Sequence, residues 1–95
     1  MIETNLTEVL QALGDPVRLA IVSALAVETE PRACGTFAYL GVSPSTLSYH
    51  FKVLREAGVI ETRPFGHQRL NSLARESLEA EYPGLLESVL AAART

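Results

Sequence analysis

The chain lacks several features that would assign it to a common functional class. Its 95 residues include one cysteine, so no disulfide can form within it. No apolar run approaches the roughly 18–20 residues that span a bilayer, and the acidic, polar start MIETNLTEVL is unlike a secretory signal. These absences predict a cytoplasmic protein with no membrane partner, and the length predicts a single domain over residues 1–95.

Residue patterns typical of enzymes are also missing. No paired carboxylates, nucleophile–base pair, glycine-rich phosphate loop or cluster of metal ligands occurs at a usable spacing. The sequence therefore predicts a protein that is not an enzyme and that holds neither a cofactor nor a metal ion.

An overall positive charge is absent as well, since the net charge is −3, but the charges are unevenly distributed. Residues 1–31 carry five acids against one arginine (net −4), and residues 76–95 carry four glutamates against one arginine (net −3). Phosphate binding depends on local rather than total charge. The candidate surface for a polyanion is therefore the middle block, residues 32–75 (net +4), where two glutamates accompany six cations: Arg32, Lys52, Arg55, Arg63, Arg69 and Arg75.

Capping signals and apolar spacing predict the first helices. Asn5, with Glu8 three residues later, begins a helix that ends before Gly14. Asp15 followed by Pro16 is a typical pair of N-cap and first helical residue. The helix that they open is apolar on nearly every face, which predicts a place in the middle of the core. Residues 27–34 contain a proline and several charges and are predicted to form a loop.

The second half begins with two helices and continues with a hairpin. Residues 35–40 predict a short helix ended by Gly41, and Ser43-Pro44 repeats the capping pattern for a helix through about Glu56. Residues 59–64 and 68–73 alternate in polarity around a central glycine and predict a β-hairpin. A short helical segment at residues 74–81 then leads to a last helix, which begins at Pro83 and covers residues 83–94.

This order predicts a helix-turn-helix over residues 35–56 followed by a wing over residues 59–73. In the second helix of the motif, Leu47, Phe51 and Leu54 form a core stripe. The opposite face carries hydroxyls, a tyrosine and a lysine, which can meet base edges and phosphates of DNA. The predicted DNA contacts are Ser43, Ser45, Thr46, Ser48, Tyr49, Lys52, Arg55, Arg63, His67 and Arg69.

Alternatives to DNA binding stay open from the pattern alone. Any amphipathic surface helix has a polar outside, and a winged helix can serve as a protein-interaction module without DNA binding. His67 could equally be a solvated turn residue, and strand arginines such as Arg63 and Arg69 also keep an edge soluble. The hairpin and the local positive charge favour DNA, because an interaction module has no need of cations around a hydroxyl-rich helix.

Four further side chains receive structural predictions. His50 lies off the core stripe and is expected to pack at the edge of the core with one hydrogen bond. Phe37 and Tyr39 are expected in the core rather than in a ligand pocket. Cys34 is expected to be a plain small residue at a loop–helix junction, with a thiol sensor as the alternative.

Three segments carry a resemblance to a known family: ALGDPVRLAIVSAL, GVSPSTLSYHFKVLREAGVIETR and RLNSL. With the wing, they resemble the ArsR/SmtB family of winged-helix repressors over residues 10–92. The resemblance implies a mainly α fold with a small β-hairpin in the order α-α-α-α-β-β-α. It also implies a homodimer that binds a pseudo-palindromic operator in double-stranded DNA and that an inducer releases.

The same resemblance implies that the first and last helices, residues 5–13 and 83–94, build the dimer. The family's metal sensors carry cysteine pairs in the first helix of the motif, or histidine and acidic ligands on the last helix. This sequence has only Cys34 near the first position and only Glu87 on the last helix, so metal sensing is not expected and the inducer stays unidentified. The expected dimer contacts are Leu6, Leu10, Leu85, Leu86, Val89 and Leu90.

Overall fold

The computed structural model describes residues 5–28 and 30–94, which form a mainly helical fold with a small antiparallel sheet, as predicted. In chain order the elements are α1 (Asn5–Leu13), α2 (Pro16–Val27), β1 (Arg32–Ala33), a 3₁₀ helix (Cys34–Leu40), α3 (Pro44–Glu56), β2 (Ile60–Phe65), β3 (Gln68–Leu73), α4 (Arg75–Glu81) and α5 (Leu85–Ala93).

The predicted caps define the starts of α2 and α3. Asp15 Oδ2 accepts hydrogen bonds from the backbone N–H groups two and three residues later, at 2.9 and 3.1 Å. The Ser43 hydroxyl accepts one from the backbone N–H three residues later, at 3.2 Å. Pro16 and Pro44 occupy first-turn positions, where a missing N–H costs no hydrogen bond. Both predicted helix starts are therefore confirmed.

The inner faces of α2, α3 and the 3₁₀ helix form the centre of the core. Ile21 of α2 and Leu54 of α3 are fully buried. The ring of Phe37 lies 5.4 Å from the ring of Phe51, measured between centroids. Leu47, Phe51 and Leu54 are at most 4% exposed, so the predicted core stripe of α3 is confirmed.

The three strands pair in the order β1-β3-β2, with β3 in the centre. Asn71 of β3 is buried, and its amide hydrogen-bonds to both neighbouring strands. Its Nδ2 donates to the backbone oxygen of Arg32 at 3.0 Å, and its Oδ1 accepts from the Thr62 hydroxyl at 2.8 Å. One side chain therefore joins the short strand β1 to the base of the β2–β3 hairpin.

Residues 27–34 are not the continuous loop that the sequence predicts. Val27 still belongs to α2, Arg32–Ala33 form β1, and Cys34 begins the 3₁₀ helix. Strand β1 consists of two residues whose partners are Asn71 and Leu70, far along the chain. A strand this short is defined by its long-range pairing, so the local pattern could not show it.

The end of the chain also differs from the prediction. The short helical segment predicted after the hairpin is confirmed as a separate helix, α4, although the order α-α-α-α-β-β-α leaves it out. The last helix begins at Leu85 rather than at Pro83, because Gly84 adopts a left-handed conformation with φ of 82° and acts as the N-cap. The residues at 83–84 are therefore a turn between α4 and α5.

Tyr39 is 65% exposed, so the prediction that it lies in the core is wrong. The reason is the type of helix. A 3₁₀ helix has about three residues per turn, so residues three apart share a face. Cys34, Phe37 and Leu40 line the inner face, and Tyr39 falls outside it.

No single helix in the described part of the chain is long and apolar enough to cross a membrane. Only α1 and α2 taken together satisfy the length and composition, and they are bent by 94° relative to each other. Both helices contribute to the core, α1 through Val9 and Ala12 and α2 through Ile21.

Asp15→Ala tests the cap of α2. Hydrogen bonding from the Arg18 backbone N–H is the main cause that holds the pKa of the Asp15 carboxyl below its ordinary value of 3.8. A carboxyl with a lowered pKa stabilises the fold above its unfolded pKa, and this contribution is lost as the pH falls through its folded pKa. We expect Asp15→Ala to lower the free energy of unfolding by about 1 kcal/mol at neutral pH, measured by urea denaturation.

The loss should shrink as the pH falls below 3.8 and through the lower folded pKa, because Asp15 is protonated in both states only below that folded pKa. Asp15→Asn is the matched control, since asparagine caps helices about as well as aspartate. An alanine variant that is equally destabilised at neutral and acid pH would contradict the assignment, as would an asparagine variant that is as unstable as the alanine variant.

Candidate nucleic-acid interface

Helix α3 presents its predicted hydroxyl-rich face to solvent. The buried side chains Leu47, Phe51 and Leu54 fix the rotation of the helix about its axis. The opposite face is therefore turned outward, and Tyr49 on it is 58% exposed. The exposed side chains of this helix with hydrogen-bonding or charged groups include Ser45, Thr46, Ser48, Tyr49, Lys52 and Arg55.

The hydroxyls at the start of α3 contact one another. Ser43 Oγ donates to Thr46 Oγ1 at 2.9 Å and lies 3.3 Å from Ser45 Oγ. It also accepts the backbone N–H of Thr46, so Ser43 serves as the cap of the helix. Ser45 and Thr46 remain exposed at the N-terminus of the helix, where the positive end of the helix dipole favours a phosphate.

His50 packs at the edge of the core, as predicted, and does not belong to the outer face of α3. It is 8% exposed, and its Nδ1 lies 3.0 Å from Nη1 of Arg18. An arginine can only donate, so Nδ1 is the acceptor of this hydrogen bond. Asp15 Oδ2 is 3.9 Å from the same nitrogen.

The hairpin projects its two arginines from opposite faces. Arg63 pairs with Leu70, and Arg69 pairs with Pro64. Directly paired residues of an antiparallel ladder share a face, and successive residues of a strand alternate. Arg63 and Arg69 therefore lie on different sides of the ribbon, an arrangement that suits phosphates on both sides of a groove.

The tip of the hairpin is a two-residue loop of Gly66 and His67. Gly66 has φ of 62°, a conformation that favours glycine. His67 is exposed, as a contact with DNA requires. The neighbouring Phe65 is 68% exposed, and sequence reasoning missed it by assigning it to the turn. The signal in the sequence was the polar Gln68 on the other side of the turn. Residues that flank a two-residue turn pair with each other and share a face, so Phe65 was expected beside a polar, exposed side chain.

The cations of the middle block divide into two groups. Arg32 Nη1 lies 3.2 Å from Glu28 Oε1, and its guanidinium sits 4.5 Å from the centroid of the Phe37 ring. Arg75 Nη1 lies 3.4 Å from Glu87 Oε1. These two arginines pair with acids of the outer blocks. Among the described residues, no ion pair engages the other four cations, Lys52, Arg55, Arg63 and Arg69.

Cys34 lies half-buried at the start of the 3₁₀ helix. Burial raises the pKa of its thiol above the ordinary value of 9.0. A reactive or metal-binding cysteine needs the opposite shift, because the thiolate is the reactive form. No group of three or more His, Cys, Asp or Glu side chains converges in residues 5–28 and 30–94. The surroundings of Cys34 therefore favour the structural interpretation over the sensor.

The side chains predicted to form a dimer separate into two sets. Leu86 and Leu90 of α5 are 5% and 8% exposed, because they form the stripe of α5 that packs into the chain's own core. They are not available as a partner surface, and that part of the prediction needs correction. The apolar side chains that keep exposed area are Leu6 (39%) and Leu10 (48%) on α1, with half-buried Leu85 and Val89 on α5.

The fold and the exposed face of α3 define a winged helix-turn-helix domain, a DNA-binding class. A family described as helix-turn-helix domain matches residues 13–63. An uncharacterized HTH-type transcriptional regulator of Bacillus subtilis, YceK, is 36% identical over 83 residues, covering 86% of this chain and 83% of the relative. The arsenical resistance operon repressor of Staphylococcus xylosus is 34% identical over 75 residues, covering 79% of this chain and 71% of that protein.

Solved structures of similar fold support the same assignment. The solution structure of a homodimeric winged helix-turn-helix DNA-binding domain from Mycobacterium bovis, a possible ArsR-family regulator, superimposes with a TM-score of 0.75 at 26% identity, covering 95% of this chain and 79% of that one. The transcriptional repressor BigR from Xylella fastidiosa gives 0.64 at 29% identity, covering 83% and 87%. The chain belongs to the ArsR/SmtB family of winged helix-turn-helix transcriptional regulators, and the resemblance noted in the sequence is confirmed.

The raised pKa predicts a slow thiol. We expect Cys34 in the folded protein to react with iodoacetamide more slowly than in the urea-unfolded chain at the same mildly alkaline pH, because burial lowers both its thiolate fraction and its access. Mass spectrometry of the alkylated chain over time measures both rates. Cys34→Ser should bind DNA as the wild type does. A folded chain that reacts faster than the unfolded one would reveal an activated thiol.

Proposed function

We propose that this regulator is a homodimeric repressor that binds a pseudo-palindromic operator through α3 and the hairpin, and that an inducer releases it. One observation carries the proposal. The exposed, hydroxyl-rich face of α3 lies on the same helix as Lys52 and Arg55, and the adjoining hairpin carries Arg63 and Arg69. No ion pair engages these four cations among the described residues, so their charge is available to phosphates.

The side chains divide by the part of DNA that they suit. Ser45 and Tyr49 are exposed on the face opposite the core stripe, with exposed Ser48 flanking them, where a helix in the major groove meets base edges. Thr46 and Ser43 lie at the start of the helix, where the positive end of the helix dipole favours phosphates. The long cationic side chains and His67 suit the sugar–phosphate backbone, which gives affinity and register rather than sequence preference.

Dimer formation is supported by exposed apolar area on α1. Leu6 and Leu10 lie one helical turn apart and are 39% and 48% exposed. The half-buried Leu85 and Val89 of α5 offer further apolar area. The Mycobacterium bovis domain of the same fold is homodimeric. A two-fold dimer places two copies of α3 about one DNA turn apart, which is the spacing of a pseudo-palindromic site.

DNA binding can be tested with a duplex selected by the wild-type protein from a random library, against a scrambled duplex of the same composition. We expect Lys52→Ala to weaken binding to both duplexes and to reduce the slope of log affinity against log salt by about one. Tyr49→Ala and Ser45→Ala should instead reduce discrimination between the duplexes by roughly 1–3 kcal/mol. Fluorescence anisotropy over a salt series measures all of these.

Arg75→Ala is the matched control for lost positive charge, because Arg75 lies in α4, an element without a predicted DNA or dimer contact. It should leave affinity and salt slope unchanged. A wild-type affinity that does not depend on salt, or wild-type behaviour of all three interface variants, would favour the protein-interaction module instead.

The dimer can be tested at the exposed leucines. We expect the double variant Leu6→Ser, Leu10→Ser to shift the protein from dimer to monomer in light scattering. It should keep its helical circular dichroism, because neither side chain is buried in the chain's own core. Phe65→Ser, which removes an exposed apolar side chain at the wing tip, should leave the dimer intact. A monomer mass for the wild type at tens of micromolar would rule out the dimer and palindromic recognition with it.

A further inference from the structure

One arginine connects α1, which carries the exposed leucines, to α3. Arg18, in the first turn of α2, donates from Nε to the backbone oxygen of Ala12 at 2.7 Å and from Nη2 to that of Gln11 at 3.2 Å. Both oxygens belong to the last turn of α1, and that of Gln11 also accepts the backbone N–H of Gly14 at 3.2 Å. The remaining nitrogen, Nη1, lies 3.0 Å from Nδ1 of His50 in α3.

The surroundings hold this contact in one geometry. The planar guanidinium meets three acceptors on two other helices, so it cannot rotate without losing hydrogen bonds. Asp15 restrains the same residue from its backbone side, because its carboxylate accepts the Arg18 N–H at 3.1 Å. His50 is buried, and its ring lies 5.6 Å from that of Tyr49 on the exposed face of α3.

We propose that Arg18 is a positioning residue for DNA recognition: it sets the orientation of α3 relative to α1 through its hydrogen bond to His50. The inference deepens the proposed function and rests on it. If α1 lies at the dimer interface, this bond relates the α3 of one protomer to the α3 of its partner. Loss of the bond leaves the inner stripe of α3 buried but frees the helix to shift against α1.

We expect loss of the Arg18–His50 hydrogen bond to reduce discrimination between DNA sequences rather than affinity for DNA in general. Base-edge hydrogen bonds need close geometry, and two half-sites must be met at once. Phosphate contacts with unspecific DNA tolerate small displacements and depend on charge alone. Arg18 is itself engaged within the fold, so its removal takes no cation from the four on α3 and the hairpin.

The test compares Arg18→Met with two replacements of its partner. His50→Gln keeps an acceptor for the arginine, and His50→Phe removes it while keeping a ring. For each variant, affinity for the selected and scrambled duplexes is measured at a temperature where circular dichroism shows the chain fully folded. We expect Arg18→Met and His50→Phe to reduce the affinity ratio by about tenfold, the loss of roughly one base contact. Unspecific affinity and its salt slope should stay at wild-type values.

His50→Gln should retain most of the ratio. The double variant Arg18→Met, His50→Phe should be no worse than Arg18→Met alone, because the two changes break one shared hydrogen bond. Arg75→Met is the matched structural control. Arg75 bonds to Glu87 of α5 and to the backbone oxygen of Ala26 in α2. It thus joins helices as Arg18 does, but it does not touch α3, and its removal should leave the ratio unchanged.

Each other outcome counts against the inference. An unchanged ratio in folded Arg18→Met or His50→Phe overturns it, as does a fall of both affinities together, which a merely structural role predicts. Additive losses in the double variant would show that the two residues act separately. If Arg18→Met does not fold, the comparison of His50→Gln with His50→Phe decides. A wild type without salt-dependent DNA binding defeats the proposed function itself, whereas failure of the Arg18 and His50 variants alone leaves that function intact.

Discussion

The position of α3 depends on the packing of its inner face against the 3₁₀ helix and the core. Phe51 lies against Phe37, with ring centroids 5.4 Å apart, and Leu54 is fully buried. Burial of such a side chain contributes roughly 1.5–3 kcal/mol, more than the about 1 kcal/mol of a capping hydrogen bond. The stripe therefore sets the rotation of the helix and the cap sets its first residue. Because side chains follow one another at about 100° along a helix, this packing alone turns Ser45, Tyr49 and Lys52 outward.

The net charge of residues 32–75 overstates the positive charge that this segment presents to a ligand. Two of the six cations in residues 32–75 pair with acids outside this segment, Arg32 with Glu28 and Arg75 with Glu87. These pairs are partly exposed and join elements of the fold, so each contributes modestly to stability. Although Arg32 and Arg75 are not available to a ligand, the remaining cations still favour a polyanion as the partner. The available positive charge is concentrated on one helix and one hairpin, where the hydroxyl groups also lie.

The features that could be predicted from the sequence are those set by residues close together in the chain. The pairs Asp15-Pro16 and Ser43-Pro44 act within three residues, so the starts of α2 and α3 could be predicted, and so could the outer face of α3. Strand β1 could not, because the hydrogen bond from Asn71 to Arg32 crosses 39 residues. Long-range packing likewise decides which side of α5 is buried and brings His50 to Arg18 across 32 residues. Tyr39 was misplaced by a local effect, the tighter turn of its helix.

The buried amide of Asn71 divides the wing into a fixed base and a tip that the core does not need. Asn71 ties the base to β1 and β2, whereas every residue from 63 to 69 is exposed. Substitutions of exposed side chains away from caps and turns usually change stability by less than about half a kcal/mol. Among these residues, only Gly66 has a backbone conformation that restricts its replacement. The tip can thus accumulate mutations at little cost to folding, so the contribution of the wing to DNA affinity can change in descendants of this chain while the architecture that supports it is inherited unchanged.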